Sequence, residues 1–303
     1  MRLFIATLLL LLPQQAKDST GFVPICDMGA TKYKEREGGL YGGGSNTPPK
    51  EHAARAKAAT EKIAPLDKDG KAASDGKIGL LSIGMSNTTQ EYTAFIRVAR
   101  GDKEIAPAVA IVDGAQGGQT ASRIADESAP FWKVVDDRVR TAGLTDKQIQ
   151  VAWYKEANAG PKAAFPTEAD ALQKDMAKNM EILTKRYPNL RIVYLSSRIY
   201  GGYASTGLNP EPHAYESGFA VQGLILAQIK LGAKAAGPVL LWGPYLWADG
   251  VKGRKIDKLV WKREDLRDND GTHPSESGQQ KVADLLLAFF KGDENTKTWF
   301  LKK

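Results

Sequence analysis

Cysteine is almost absent: Cys26 stands alone among 303 residues, so neither an internal disulfide nor a Cys-x-x-Cys redox or metal pair can form. Packing must therefore hold the fold. Histidine is nearly as scarce, at His52, His213 and His273, and three dispersed imidazoles with one thiol do not make a zinc site. Two Asp-x-Asp-Gly stretches, Asp67 to Gly70 and Asp268 to Gly271, lack the remaining ligands of a calcium loop. No metal or cofactor is expected. Charge of one sign is also missing as a block. The 42 Lys and Arg against 35 Asp and Glu give a formal +7, but the basic residues are scattered, without a run interleaved with aromatics, so nucleic acid is not an expected partner.

Long apolar runs are missing as well. The longest, Leu3 to Leu12, holds one threonine, follows a single Arg2 and precedes Pro13. It is too short to span a bilayer and has the form of the apolar region of a secretory signal peptide. Residues 1–16 are accordingly expected to be an export signal cleaved near Ala16, leaving no membrane span and placing the chain in the periplasm or outside the cell. An uncleaved N-terminal anchor is the other reading. Cys26 is expected to be free or buried.

What is present is 42% apolar and 25% charged sequence, enough for one large domain with a core. Residues 17–76 are rich in Gly, Pro and Lys and read as an extension wrapping the domain, with one Ala-rich helix from about His52 to Ile63. The Gly38–Gly44 segment, GGLYGGG, has neither the preceding strand nor the following Lys-Ser/Thr of a phosphate loop, and reads as a plain loop.

After Gly76 the pattern changes. Five short apolar runs, Ile78 to Ile83, Val109 to Val112, Ile149 to Tyr154, Ile192 to Leu195 and Val239 to Trp242, suit strands buried on both faces. Helical periodicity follows each of them, around Glu91 to Arg100, Pro130 to Ala142, Glu168 to Tyr187, Glu216 to Leu231 and Ser275 to Lys291. Five strand-then-helix units predict an α/β fold, a parallel sheet of about five strands covered on both sides. Such sheets bind ligands beyond the carboxyl ends of their strands.

Polar residues gather at those ends. The first run leads into Gly84-Met85-Ser86-Asn87, where a serine between strand and helix can expose its hydroxyl and its own N–H, or simply cap the helix. The second leads into Asp113-Gly114-Ala115-Gln116-Gly117-Gly118-Gln119-Thr120, where Gly118 can offer an N–H to an oxyanion or serve a tight turn. The third leads into Lys155-Glu156-Ala157-Asn158, where Asn158 can supply a side-chain N–H or be a turn residue. Before the last helix stands Asp270-Gly271-Thr272-His273, in which an aspartate three residues upstream can fix the tautomer of a histidine base. His52 and His213 lack an aspartate so placed.

In this order the four segments resemble the four blocks of the SGNH hydrolase superfamily, the GDSL-type esterases, from about Lys77 to Phe290. The Gly-x-Ser-Asn form and Trp153-Tyr154-Lys155-Glu156-Ala157-Asn158 are similar to the carbohydrate O-acetylesterase branch, which includes sialate-type enzymes. The third block departs from that branch by one residue and at its glycine. The resemblance implies a flavodoxin-like three-layer α/β/α sandwich over residues 77–303. It implies Ser86 as nucleophile, His273 as base, Asp270 as its partner, and oxyanion donors from Ser86, Gly118 and an asparagine. Asn158 is the candidate for that last donor, with Lys155 as the alternative.

The expected function is that of an exported serine esterase removing acetyl or similar short acyl groups from a carbohydrate or another small ester. The alternative is a catalytically inactive glycan-binding protein on the same fold. Asn87 and the rim residues Arg198, Tyr200, Trp242 and Tyr245 are candidate substrate contacts, since aromatic faces suit sugar rings and a guanidinium suits a carboxylate or sulfate. Packing under loops is the competing reading for the aromatics.

Overall fold

The computed structural model describes residues 16–302; the N-terminal apolar stretch expected to be an export signal lies outside them, apart from Ala16. Five parallel strands form one sheet: β1 (Ile78–Gly84), β2 (Val109–Asp113), β3 (Ile149–Lys155), β4 (Ile192–Leu195) and β5 (Val239–Trp242), in the order β2-β1-β3-β4-β5. The order reverses at β1, so the carboxyl ends of β1, β2 and β3 open a crevice between neighbouring connections.

Helices cover both faces. In chain order they are α1 (Lys50–Thr60), α2 (Ser86–Gly101), α3 (Pro130–Thr141), α4 (Thr167–Arg186), α5 (His213–Leu231), α6 (Glu276–Gly292) and the short α7 (Lys297–Phe300). One layer contains α2 packed on α6, with α1 under β4 and β5; α3, α4 and α5 form the other. Their sequences dictate the faces. On α6 the i, i+4, i+8 series Val282, Leu286 and Phe290 is buried. Ser275 accepts the Gly278 N–H at its start, and Pro130 opens α3, where a missing N–H costs nothing.

Four strands are buried along their whole length, but β2 is half-exposed, contrary to the expectation from its apolar run. As an edge strand it has only β1 beside it. The other edge, β5, is buried because residues 17–49 lie against it and over α5. Trp242 Nε1 donates to Leu40 O (2.6 Å), Gln222 of α5 donates to Glu37 O and Gly39 O, and Phe22 stacks on Tyr215. A buried carboxylate anchors the start of this segment: Asp249 accepts from Ser19 Oγ, Thr20 N, Thr20 Oγ1 and Gly21 N at 2.6–3.1 Å. This cover explains why α5 is buried on nearly all sides. Within the segment, the GGLYGGG loop contains four glycines at positive φ, Gly39, Gly42, Gly43 and Gly44. Cys26 is a free, buried thiol, and burial pushes its pKa up to about 12.

Two helices start before the periodicity announces them. α2 begins at Ser86 rather than Glu91, and α5 at His213 rather than Glu216. The opening residues Ser-Asn-Thr-Thr compete with helix in isolation by bonding to the backbone. Here their side chains bond outside the helix instead: Asn87 Nδ2 donates to Thr272 O (3.0 Å) and Thr88 Oγ1 to Lys155 O (2.7 Å).

The most enclosed polar contact joins α2 to β3. Glu91 and Lys155 are both fully buried, with Lys155 Nζ 2.6 Å from Glu91 Oε1. Burial pushes the carboxyl up and the ammonium down, and their mutual contact opposes both shifts. Removing one partner leaves the other enclosed and unpaired. Lys155→Met should therefore lower the unfolding free energy by about 3–5 kcal/mol in urea titrations, and adding Glu91→Leu should restore most of the loss.

Candidate active site

β1 and α2 meet in a turn with no spare room. A Cβ on Gly84 would fall 2.2 Å from Thr88 Oγ1 and 2.4 Å from Lys155 O, so only glycine lets the strand end lie against both. The chain then turns at Met85 and presents Ser86 as the first residue of a sixteen-residue helix. The first N–H groups of a helix lack partners within it, and the helix dipole makes that end favour negative charge.

The second loop is stitched to the same strand end. Gly114 N donates to Ser82 O (3.1 Å) and Gln116 N to Gly84 O (2.9 Å). Asp113 takes the hydroxyls of Ser82 (2.6 Å) and Thr89 and the N–H of Ala115 (3.1 Å). Gly118 has φ +74°, a left-handed conformation that glycine accepts without strain. Its carbonyl receives Arg123 Nη1 at 2.8 Å, while no hydrogen bond among the described residues uses its N–H.

The Asp270–His273 turn is organised by one carboxylate. Asp270 Oδ1 accepts the N–H groups of Thr272 (2.7 Å) and His273 (2.8 Å), and Oδ2 faces His273 Nδ1 at 2.7 Å. Burial acts to raise the Asp270 pKa, but these bonds outweigh it and hold the carboxyl below its usual range. Gly271 crosses so close to Tyr203 O that a Cβ there would lie 1.8 Å away. The opposite imidazole nitrogen, Nε2, lies 2.8 Å from Ser86 Oγ. Residues 187 positions apart thus form a continuous Ser86–His273–Asp270 chain. With Nδ1–H donated to Asp270, Nε2 is left to accept the serine hydroxyl.

Ser86 and His273 open on a cleft of about 920 Å³ that Asn87, Gly118, Asn158 and Arg198 also line. Asn158 is fixed from three sides. Its Nδ2 donates to Asp175 Oδ2 (2.7 Å), its Oδ1 accepts Ser122 N (2.9 Å), and its backbone oxygen faces His213 Nε2 (2.9 Å). One hydrogen of its amide remains. Lys155, the alternative third-block donor, is excluded because its ammonium is buried against Glu91.

Three expected substrate contacts are corrected. Tyr200, Trp242 and Tyr245 are buried outside the cleft, where the Tyr200 hydroxyl donates to Lys17 O, Trp242 Nε1 donates to Leu40 O, and the Tyr245 hydroxyl accepts Ile25 N. They do follow strand ends, but residues 17–49 cover that half of the rim. No aromatic residue lines the cleft among the described residues. Asn87 lines it only as a buried clamp that ties the serine's helix to the carbonyl before His273.

Reading the sequence missed three contributors, Glu91, Asp175 and Asn209, and weighed His213 only as a loop histidine that could line the cleft. Glu91 had a signal, because it falls on the apolar stripe of α2 between Thr88 and Phe95, where a charge requires a partner. His213 opens α5, and burial pushes its pKa down. Asn209 carries no local pattern at all.

No family model and no curated protein matches the chain. Solved structures similar to it include a protein from Arabidopsis thaliana, at 13% identity over 67% of this chain and 67% of that one, TM-score 0.38. A gut microbial diltiazem-metabolizing enzyme matches at 16% identity over 75% of this chain, TM-score 0.42; the chain spans 48% of its length. A GDSL-like lipase from Bacteroides thetaiotaomicron matches at 16% identity over 79% of this chain and 96% of that one, TM-score 0.35. At these identities and scores the likenesses say nothing of what this chain does.

Proposed function

We propose that the chain is a serine esterase of the SGNH type that hydrolyses short acyl esters through an acyl-enzyme. The observation that carries this is the pair of contacts, 2.8 Å from Ser86 Oγ to His273 Nε2 and 2.7 Å from His273 Nδ1 to Asp270 Oδ2, opening on the cleft.

The chemistry follows from the geometry. Ser86 Oγ bonds to the ester carbonyl carbon as its proton passes to His273 Nε2. Asp270 keeps the imidazole in the accepting tautomer and stabilises the imidazolium. The carbonyl electrons move to oxygen, and the N–H groups of Ser86 and Gly118, with the remaining Asn158 amide hydrogen, are the donors suited to that oxyanion. Collapse expels the alcohol, which takes the proton from His273. Water then repeats the sequence, giving the carboxylic acid and free Ser86. A positioned base contributes roughly 10²–10⁴-fold and one oxyanion donor about 10²–10³-fold.

For substrate we infer an acetyl-type ester on a carbohydrate, met outside the cytoplasm if residues 1–16 act as an export signal. A cleft of this volume suits a sugar-sized ligand. Thr120, Ser122 and Asn209 line it with hydroxyls and an amide, so recognition is by hydrogen bonds rather than by stacking.

With 4-nitrophenyl acetate, Ser86→Ala should keep the native fold, lose at least about 10³-fold in turnover and resist labelling by a fluorophosphonate; undiminished hydrolysis overturns the assignment. Asp270→Asn should lower kcat by about 10³–10⁴-fold, through loss of the tautomer lock. Because Asp270 Oδ1 also organises the turn, its variant should be checked for an unchanged circular dichroism spectrum.

A further inference from the structure

Two buried polar side chains in the cleft have nothing to bond to. Arg198, just beyond β4, is 2% exposed, and its Nε and Nη1 are enclosed without an acceptor. Asn209 is also 2% exposed, and both its amide oxygen and nitrogen lack partners. Both residues line the same cleft as Ser86 and His273. Enclosed donors normally find acceptors, and an enclosed guanidinium is costly without one.

Two buried carboxylates, Glu91 and Glu156, act on Arg198 through charge without bonding to it. Glu91 is bonded to Lys155, and among the described residues no carboxylate lies within 4 Å of the Arg198 guanidinium. Burial pushes the Glu156 carboxyl up, against the pull of Arg198 and Lys155. Along the cleft wall Arg123 and Lys162 add positive charge, against Glu168, whose Oε2 accepts the N–H groups of Lys162 and Ala163.

We propose that Arg198 and Asn209 form a subsite for a carboxylate on the substrate, Arg198 bonding the carboxylate and Asn209 a hydroxyl or carbonyl next to it. This rests on the esterase reading of the same cleft and narrows it to esters of acidic alcohols, such as acylated acidic sugars or hydroxy acids. Planar guanidinium donors match a carboxylate's paired acceptors. β4 lies two strands from β1, roughly 10 Å at normal strand separation, so Arg198 and Ser86 enter one cleft from different strand ends.

The two readings separate experimentally. Turnover of neutral 4-nitrophenyl acetate and labelling of Ser86 report the esterase reading alone. The subsite is read by calorimetric binding of 4-acetoxybenzoate and its methyl ester to the Ser86→Ala protein, which needs no hydrolysis. The acid should bind at least tenfold more tightly than the methyl ester. Adding Arg198→Met should bring that ratio close to one, whereas Arg198→Lys, which keeps charge but not the planar fork, should leave an intermediate ratio. Equal binding of acid and ester, or a preference that survives Arg198→Met, overturns the subsite. If Arg198→Met does not fold, Arg198→Lys serves in its place: the ratio should still fall at least threefold, and an unchanged ratio overturns the proposal.

Discussion

The end of β1 lies so close to β3 that Gly84 has no space for a side chain, and the site depends on that approach. It brings Lys155 O within reach of Thr88 Oγ1, sets α2 down with Ser86 as its first residue, and directs Glu91 onto the Lys155 ammonium. The second loop then bonds to the carbonyls of Ser82 and Gly84. Ser86, the start of α2 and the Gly118 loop are thus fixed at one strand end by backbone contacts together with buried side-chain bonds.

His273 arrives from the far end of the chain and is positioned independently. Asp270 spends one oxygen on the turn and the other on the imidazole, so the group that orients His273 also builds its loop. Asn87 ties the two halves, reaching from α2 to the carbonyl of Thr272.

Ionisable groups lie on two levels. At the surface of the cleft lie Ser86 and His273, with Asp270 behind them. Beneath it, Glu91, Lys155, Glu156 and Arg198 are enclosed in a medium that disfavours charge. The Glu91–Lys155 contact resolves that cost internally and locks α2 to β3. Arg198 feels the charge of Glu91 and Glu156 but bonds to neither, and its Nε and Nη1 have no acceptor.

The sequence by itself determined the layers and the chemistry-bearing loops. Apolar runs of four to six residues alternating with helical periods read as buried strands, though β2 is half-exposed, and the carboxyl-end rule then points to Ser86, Gly118 and Asn158 as candidates. Asp270 and His273 were legible as a candidate pair from their spacing and from the scarcity of histidine. Helix starts at Ser86 and His213 were not, because the bonds that satisfy their polar openings come from distant segments. Only the tertiary structure decided which rim residues face a ligand. Tyr200, Trp242 and Tyr245 follow strand ends just as Arg198 does, yet the path of residues 17–49 over α5 and β5 buries the aromatics and leaves the guanidinium on the cleft. Local pattern encodes which residues leave the sheet at its carboxyl end; the long-range path of the chain sets which of them line the cleft.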